Sequence, residues 1–234
     1  MKLPDANTPL ASEIRDNPKL YPFFKDCQGS IDRTHLDAFC PDDAVKQYQN
    51  QKGGISQNVL AACSQDMHFT YILSGWEGSA SDGYIFDDAR RSNLTVPPGK
   101  YFLADAGFSS CNVLLVPYHG ERYHLKEWGR VNIRIFGVVK RWFRVLIVAP
   151  EYDLTTQAKM VPAICVLHNF IRIHDVDDIP VIEGPQSRHR ASALMELGGD
   201  ILNAERNAAS DLQESIAMAM WNSYMDVIAT QNQN

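Results

Sequence analysis

The stretch Cys27-Gln28-Gly29-Ser30-Ile31-Asp32-Arg33-Thr34-His35-Leu36 decides the fold. Residues 27–36 read as a strand that carries Asp32 among apolar neighbours. Two more apolar, β-branched or aromatic runs follow, Gln57–Ala62 and Phe69–Leu73, separated by Ser64-Gln65-Asp66. Gly53-Gly54 precedes the first run and Gly75 follows the second. The pattern predicts three strands in an antiparallel meander. A short helix is expected from Asp82 to Arg91, and Pro97-Pro98-Gly99 forces a turn. Lys100–Ala104 then reads as a short strand ending at Asp105, where Ala106-Gly107 lets the chain leave. The element order predicts a mixed α/β domain with helices packed on a sheet.

Asp32, Asp82 and Asp105 thus stand at the ends of predicted buried elements. Functional carboxylates favour such places, because a rigid scaffold there meets solvent. Oxygen ligands of this kind suit hard divalent cations such as Mg²⁺ or Mn²⁺. Each aspartate also has a plainer reading. Asp32 fits a turn or cap, Asp82 a helix N-cap, and Asp105 a turn former before Ala-Gly.

The 234 residues are 45% hydrophobic and 21% charged, the balance of a globular protein with one substantial core. No apolar run approaches the roughly 20 residues of a membrane span. The N-terminus lacks the apolar core of a signal peptide, so a nuclear or cytoplasmic location is expected. Five cysteines, with no C-x-x-C pair, argue against a zinc site or a disulfide framework. They read as small buried hydrophobes.

The net charge of −6 conceals an asymmetry. From Arg122 to Arg144 seven basic residues face one acidic residue, a local charge of +6, which leaves the remaining chain at −12. Arg130–Ile147 has helical periodicity. At ~100° per residue, Arg130, Arg134, Arg141 and Arg144 fall within roughly 80° of one another. Gly137 lies within that stripe and leaves room for a phosphate backbone, while Ile135, Val139, Trp142 and Leu146 form the apolar face. The stripe is either a solvated helix face or a phosphate contact. A second helix, Thr156–Ile173, is apolar enough to be core, with a kink expected near Pro162. Residues 175–200 read as a linker. Ser210 starts a last helix, Ser210–Ile228, with Gln213 placed for a capping box. Its stripe of Leu212, Ile216, Met220, Tyr224 and Val227 would dock on the core or on another chain. His35, His168 and Asn169 read as structural hydrogen-bond partners, and Trp76 and Trp142 as core aromatics.

Four ordered blocks carry a resemblance: Gly29-x-x-Asp32-x-Thr34-His35, Trp76-x-Gly78-Ser79-x-x-Asp82, Ala104-Asp105-Ala106-Gly107-Phe108 and Arg134-x-Phe136-Gly137-x-x-Lys140. Together with Leu167-His168-Asn169-Phe170-Ile171 they resemble the PIF/Harbinger transposase-derived nucleases, which are DDE superfamily endonucleases. The resemblance implies an RNase H-like mixed sheet flanked by helices, with a C-terminal helical extension. It implies a domain over 27–174, an N-terminal remnant over 1–26, and a linker and amphipathic helix over 175–234. It also implies catalytic Asp32 and Asp105, a Mg²⁺ or Mn²⁺ site on Asp32, Asp82 and Asp105, and DNA phosphates on Arg130, Arg134, Lys140, Arg141 and Arg144. Two such ions would activate a water or 3′-hydroxyl and stabilise the leaving oxygen at a DNA phosphodiester. A separate protein would supply sequence recognition.

The chain departs from the family pattern in three places. Ile133 stands where the last block has an acidic residue. The segment before Arg130 is shortened, and Glu127, the nearest acid, lies on the far side of it. Arg33 stands where a glycine is usual. The expectation is a metal-dependent nuclease fold with impaired cleavage, or else a non-cleaving derivative that binds DNA or protein.

Overall fold

The computed structural model describes residues 1–118, 135–175 and 203–231. A five-stranded mixed sheet forms its centre, in the order β3-β2-β1-β4-β5. β1 is Cys27–Asp37, β2 Ser56–Cys63 and β3 Phe69–Glu77. These three form the expected antiparallel meander, with Asp32 opposite Ala61 and Arg33 opposite Leu60. β2 is buried along its whole length, as its unbroken run Val59-Leu60-Ala61-Ala62-Cys63 requires of a central strand. β4 (Tyr101–Leu103) pairs parallel with β1, and β5 (Leu114–Leu115) parallel with β4. Gly29 has φ +140°, and a Cβ there would run into the Cys63 carbonyl, so the β1–β2 approach demands glycine.

Helices cover both faces. On one face lies α3 (Asp82–Ser92), which follows the short helices α1 (Ser12–Arg15) and α2 (Val45–Tyr48). Its Ile85, Phe86 and Ala89 join Ile31, Leu60, Ala62 and Phe102 in a core cluster. On the other face lie α4 (Ile135–Trp142) and α5 (Leu154–His174). Ile135, Phe136, Val139, Val161 and Cys165 there meet Leu36, Val59, Ala61 and Phe69. Deleting a large side chain from either cluster would cost about 2–5 kcal/mol. A third cluster joins Ile14 and Phe24 of the N-terminal segment to Tyr101, Leu103 and Leu115, with Leu212 and Ile216 of α6 (Asn203–Gln231) against it.

Several expectations need correction. The helix expected over Arg130–Ile147 stops at Trp142, because Phe143 is extended (φ −115°, ψ 92°) before a 3₁₀ turn at Arg144–Leu146. Arg130 and Arg134 lie outside the described residues. The helix expected over Thr156–Ile173 is α5, capped by Asp153 accepting from the Thr156 amide. It is only partly core, since Val166, Leu167 and Phe170 are exposed. The last helix starts at Asn203 and not Ser210, and Gln213 donates to the Val116 carbonyl in place of a capping role. Its stripe reaches the core through Leu212 and Ile216, while Met220, Tyr224 and Val227 are exposed. All five cysteines are free and buried. Among the described residues no helix is long and apolar enough to cross a membrane.

Candidate acidic site beside β1 and β4

β1 and β4 run parallel with Ser30 opposite Leu103, so Asp32 and Asp105 each stand two residues beyond that pair. Strand alternation then decides which way each β1 side chain points. Asp32 pairs with Ala61, whose side chain belongs to the α4–α5 core, and Arg33 pairs with Leu60, which belongs to the α3 core. Asp32 therefore faces the α4 side and Arg33 the α3 side.

Asp82 sits on the α3 side. Ser81 is the N-cap of α3, its side chain accepting from the Tyr84 amide, so Asp82 occupies the first helical turn. A carboxylate there is favoured by the helix dipole. Its Oδ1 lies 2.7 Å from Arg33 Nε, with both side chains only about a fifth exposed. Burial lifts the Asp82 carboxyl above its ordinary value, Arg33 opposes that shift, and the Asp105 charge adds to it. Asp105 is exposed and accepts the Gly107 amide at 2.9 Å. A Cβ on Gly107 would stand 3.0 Å from Asp105 Oδ1 and 3.1 Å from Asp82 Oδ2, so these carboxylates face one small space that glycine keeps open.

Arg33 is held from three sides. Nη1 donates to Asn58 Oδ1 at 2.7 Å and lies 2.9 Å from His35 Nε2. Asn58 is fixed in turn, its amide nitrogen donating to the carbonyls of Glu77 and Ala80. A guanidinium only donates, so His35 Nε2 accepts and the ring is neutral. Its Nδ1–H then donates to Ser56 Oγ at 3.0 Å. Burial first, then the charges of Arg33, Lys140 and Lys52, push His35 down to about 4. His35 is thus the structural partner expected of it.

On the α4 side, Asp32 Oδ1 accepts the Arg33 amide at 2.9 Å. Lys140 reaches across from α4, its ammonium donating to Thr34 Oγ1 at 2.7 Å and the His35 carbonyl at 2.8 Å. Burial lowers Lys140, while the charges of Asp32 and Asp37 pull it back up. Lys140 was expected at phosphate, but here its ammonium is used inside the protein. Arg141 and Arg144 are exposed, and Gly137 has open space where a Cβ would stand. Ile133 and Glu127 lie outside the described residues.

The three aspartates expected at a metal, Asp32, Asp82 and Asp105, stand as follows in the structure. Among the described residues no three His, Cys, Asp or Glu side chains gather into a group able to hold a metal ion. The alternation of β1 sends Asp32 to one face while α3 brings Asp82 to the other, and a guanidinium already contacts Asp82. This donor set does not fit a divalent ion bridging three carboxylates. Sequence reading missed Asn58 and the Arg33–Asp82 pair. One signal was present: Asn58 is a polar residue next to the apolar run of a central strand, and such a group needs partners.

The remaining predicted residues hold structural posts. His168 Nε2 donates to the Met67 carbonyl, and Asn169 pairs with both backbone groups of Phe69 at 2.8 Å. Trp76 donates to Asp88.

The family model for the DDE superfamily endonuclease matches residues 31–169. A curated relative, "Protein ALP1-like" of Arabidopsis thaliana, is 23% identical over 215 residues, covering 76% of this chain. The chain spans about half the length of that relative, 52%. No solved structure matches. With more than half of its length matched, from within β1 to within α5, the chain belongs to the DDE superfamily endonuclease family.

Proposed function

We propose that this chain is a DDE endonuclease fold that has lost two-metal cleavage and binds DNA through its phosphates. Endonucleases of this superfamily generally use divalent metals. The observation that carries the reading is the division of the aspartates between two sheet faces, with Asp82 joined to Arg33 at 2.7 Å. Ile133 at the acidic place of the last block supports it. The DNA side rests on the +6 segment, on exposed Arg141 and Arg144, and on the open space at Gly137. Cationic side chains of this kind give sequence-independent, salt-sensitive affinity. Such a role would be nuclear, with sequence recognition supplied by a separate protein.

A second reading is a metal-dependent endonuclease that works through Asp32 and Asp105 alone. The parallel register that sets both two residues beyond the Ser30–Leu103 pair favours it.

Plasmid nicking in Mn²⁺ and duplex binding by fluorescence anisotropy separate the two. The expected result is no nicking, with salt-dependent binding. Arg141→Gln with Arg144→Gln should flatten the logarithmic salt slope by about two. Nicking that disappears in Asp32→Asn would establish the second reading in place of the first.

A further inference from the structure

Arg33 contributes more than neutralisation. Its guanidinium occupies Asp82 through Nε, and its Nη1 is shared between Asn58 Oδ1 and His35 Nε2. The two carboxylates facing the Gly107 space, Asp82 and Asp105, meet a cation supplied by the chain itself. Every partner is committed by bonds of its own: Asn58 by the Glu77 and Ala80 carbonyls, His35 by Ser56. A side chain anchored this way does not swing aside when a weakly held ion arrives. The planar fork matches its three acceptors, which a point charge would not.

We propose that Arg33 is the resident cation of this site, a fixed guanidinium standing at Asp82 where a divalent ion would otherwise bind. The proposal deepens the non-cleaving reading above and rests on it for its setting. It assigns Asn58 and His35 as positioning residues for Arg33. The presence of Arg33 makes Asp82 a structural anion and closes it to metal. Its removal leaves Asp82 and Asp105 facing each other across the Gly107 space with no cation paired to them among the described residues. Mg²⁺ and Mn²⁺ commonly bind through one or two carboxylates with water completing the shell, so those two groups suffice for a site once the arginine is gone.

The test is Mn²⁺ binding by calorimetry, with thermal melts in parallel, on the full chain and on Arg33→Gln, Asp82→Asn and the double variant. The full chain should show no saturable binding that depends on Asp82, and its Tm should not move with Mn²⁺. Arg33→Gln and Asp82→Asn should each lower Tm by about 5 °C. The double variant should fall no further than the worse single, because one pair is broken only once. Arg33→Gln should gain a Mn²⁺-dependent rise in Tm that is absent in the double variant. If Arg33→Gln does not fold, Asn58→Leu tests the same point by loosening the guanidinium: it should fold and bind Mn²⁺ more tightly than the unaltered chain. Saturable Mn²⁺ binding by the unaltered chain that Asp82→Asn abolishes would overturn the proposal, as would strictly additive Tm losses. Mn²⁺ binding of that kind without nicking would sink this inference alone. Nicking lost in Asp32→Asn but kept in Asp82→Asn would sink the non-cleaving reading and leave Arg33 in its place.

Discussion

One strand serves two faces of the sheet in two ways. β1 turns Arg33 and His35 toward α3, and Asp32 and Thr34 toward α4. On the α3 face a guanidinium touches its carboxylate at 2.7 Å and is gripped by an amide and an imidazole. On the α4 face Lys140 grips Thr34 Oγ1 and a carbonyl, and acts on Asp32 through the field. Both faces bring a protein cation to an aspartate, and on the α3 face the two are in direct contact. Contact pairs in a half-buried place are costly to break from one side, because the survivor keeps its charge and loses its partner. A lysine bonded to neutral oxygens leaves less behind when removed.

The largest expected effect follows from that difference. Asp82→Asn keeps the shape and removes the anion, stranding the Arg33 guanidinium. The cost should be about 2–3 kcal/mol, at the low end for a buried pair because both side chains are a fifth exposed. Lys140→Met should cost about 1 kcal/mol, for two hydrogen bonds lost and apolar stem retained. Urea unfolding of both variants measures the two values. Equal losses would erase the distinction between the faces.

Acid should loosen the α3 face through His35. His35 is held to about 4 in the folded chain, below its ordinary value of 6.5. Its neutral form is bound, so the unfolded chain takes up a proton that the folded chain refuses. The stability this contributes is complete above about 6.5 and is lost as pH falls from 6.5 toward about 4. The groups facing the ring are Arg33 and Ser56, with Lys140 and Lys52 adding positive charge. The slope is at most about 1.4 kcal/mol per pH unit and smaller for a half-buried ring. His35→Gln keeps a polar side chain and removes the titration. The difference between the two stability curves should be level above 6.5 and narrow below it. A difference that stays constant down to pH 4 would show that His35 is not held neutral in the folded chain.

Much of this architecture was legible locally. The three apolar runs marked the strands of the meander, and the alternation of β1 that sets Arg33 opposite Asp32 follows from the strand itself. α3 begins at Asp82 as expected, because Ser81 offers a hydroxyl to the helix N-terminus. β5 was not legible, since two residues carry no period. The break at Phe143 was hidden because Trp142 and Phe143 continue the apolar pattern of α4 into an extended residue. The partners of the site residues were hidden for a different reason. Where Arg33 ends up depends on α3 returning over the sheet after β3, and where Lys140 ends up depends on how α4 packs against β1. Both are tertiary outcomes that spacing does not encode. The resemblance implied one site on three aspartates, and strand alternation sets Asp32 on the sheet face opposite Arg33 and Asp82.

The smallest effect sharpens the comparison most. Gly107→Ala introduces a methyl 3.0 Å from Asp105 Oδ1 and 3.1 Å from Asp82 Oδ2, so at least one oxygen must retreat by a few tenths of an ångström. Asp105 is exposed and can move, whereas Asp82 is tied to Arg33. The penalty should be about 1 kcal/mol, the low end for overpacking at a site open to solvent. It should shrink when Arg33→Gln is added, because Asp82 released from the guanidinium can yield as well. That coupling has the sign opposite to simple addition and can be read from a cycle of the two single variants and the double. A penalty unchanged in the Arg33→Gln background would mean that Asp82 is held by the first turn of α3 alone, and that the two faces differ less than the contact distances imply.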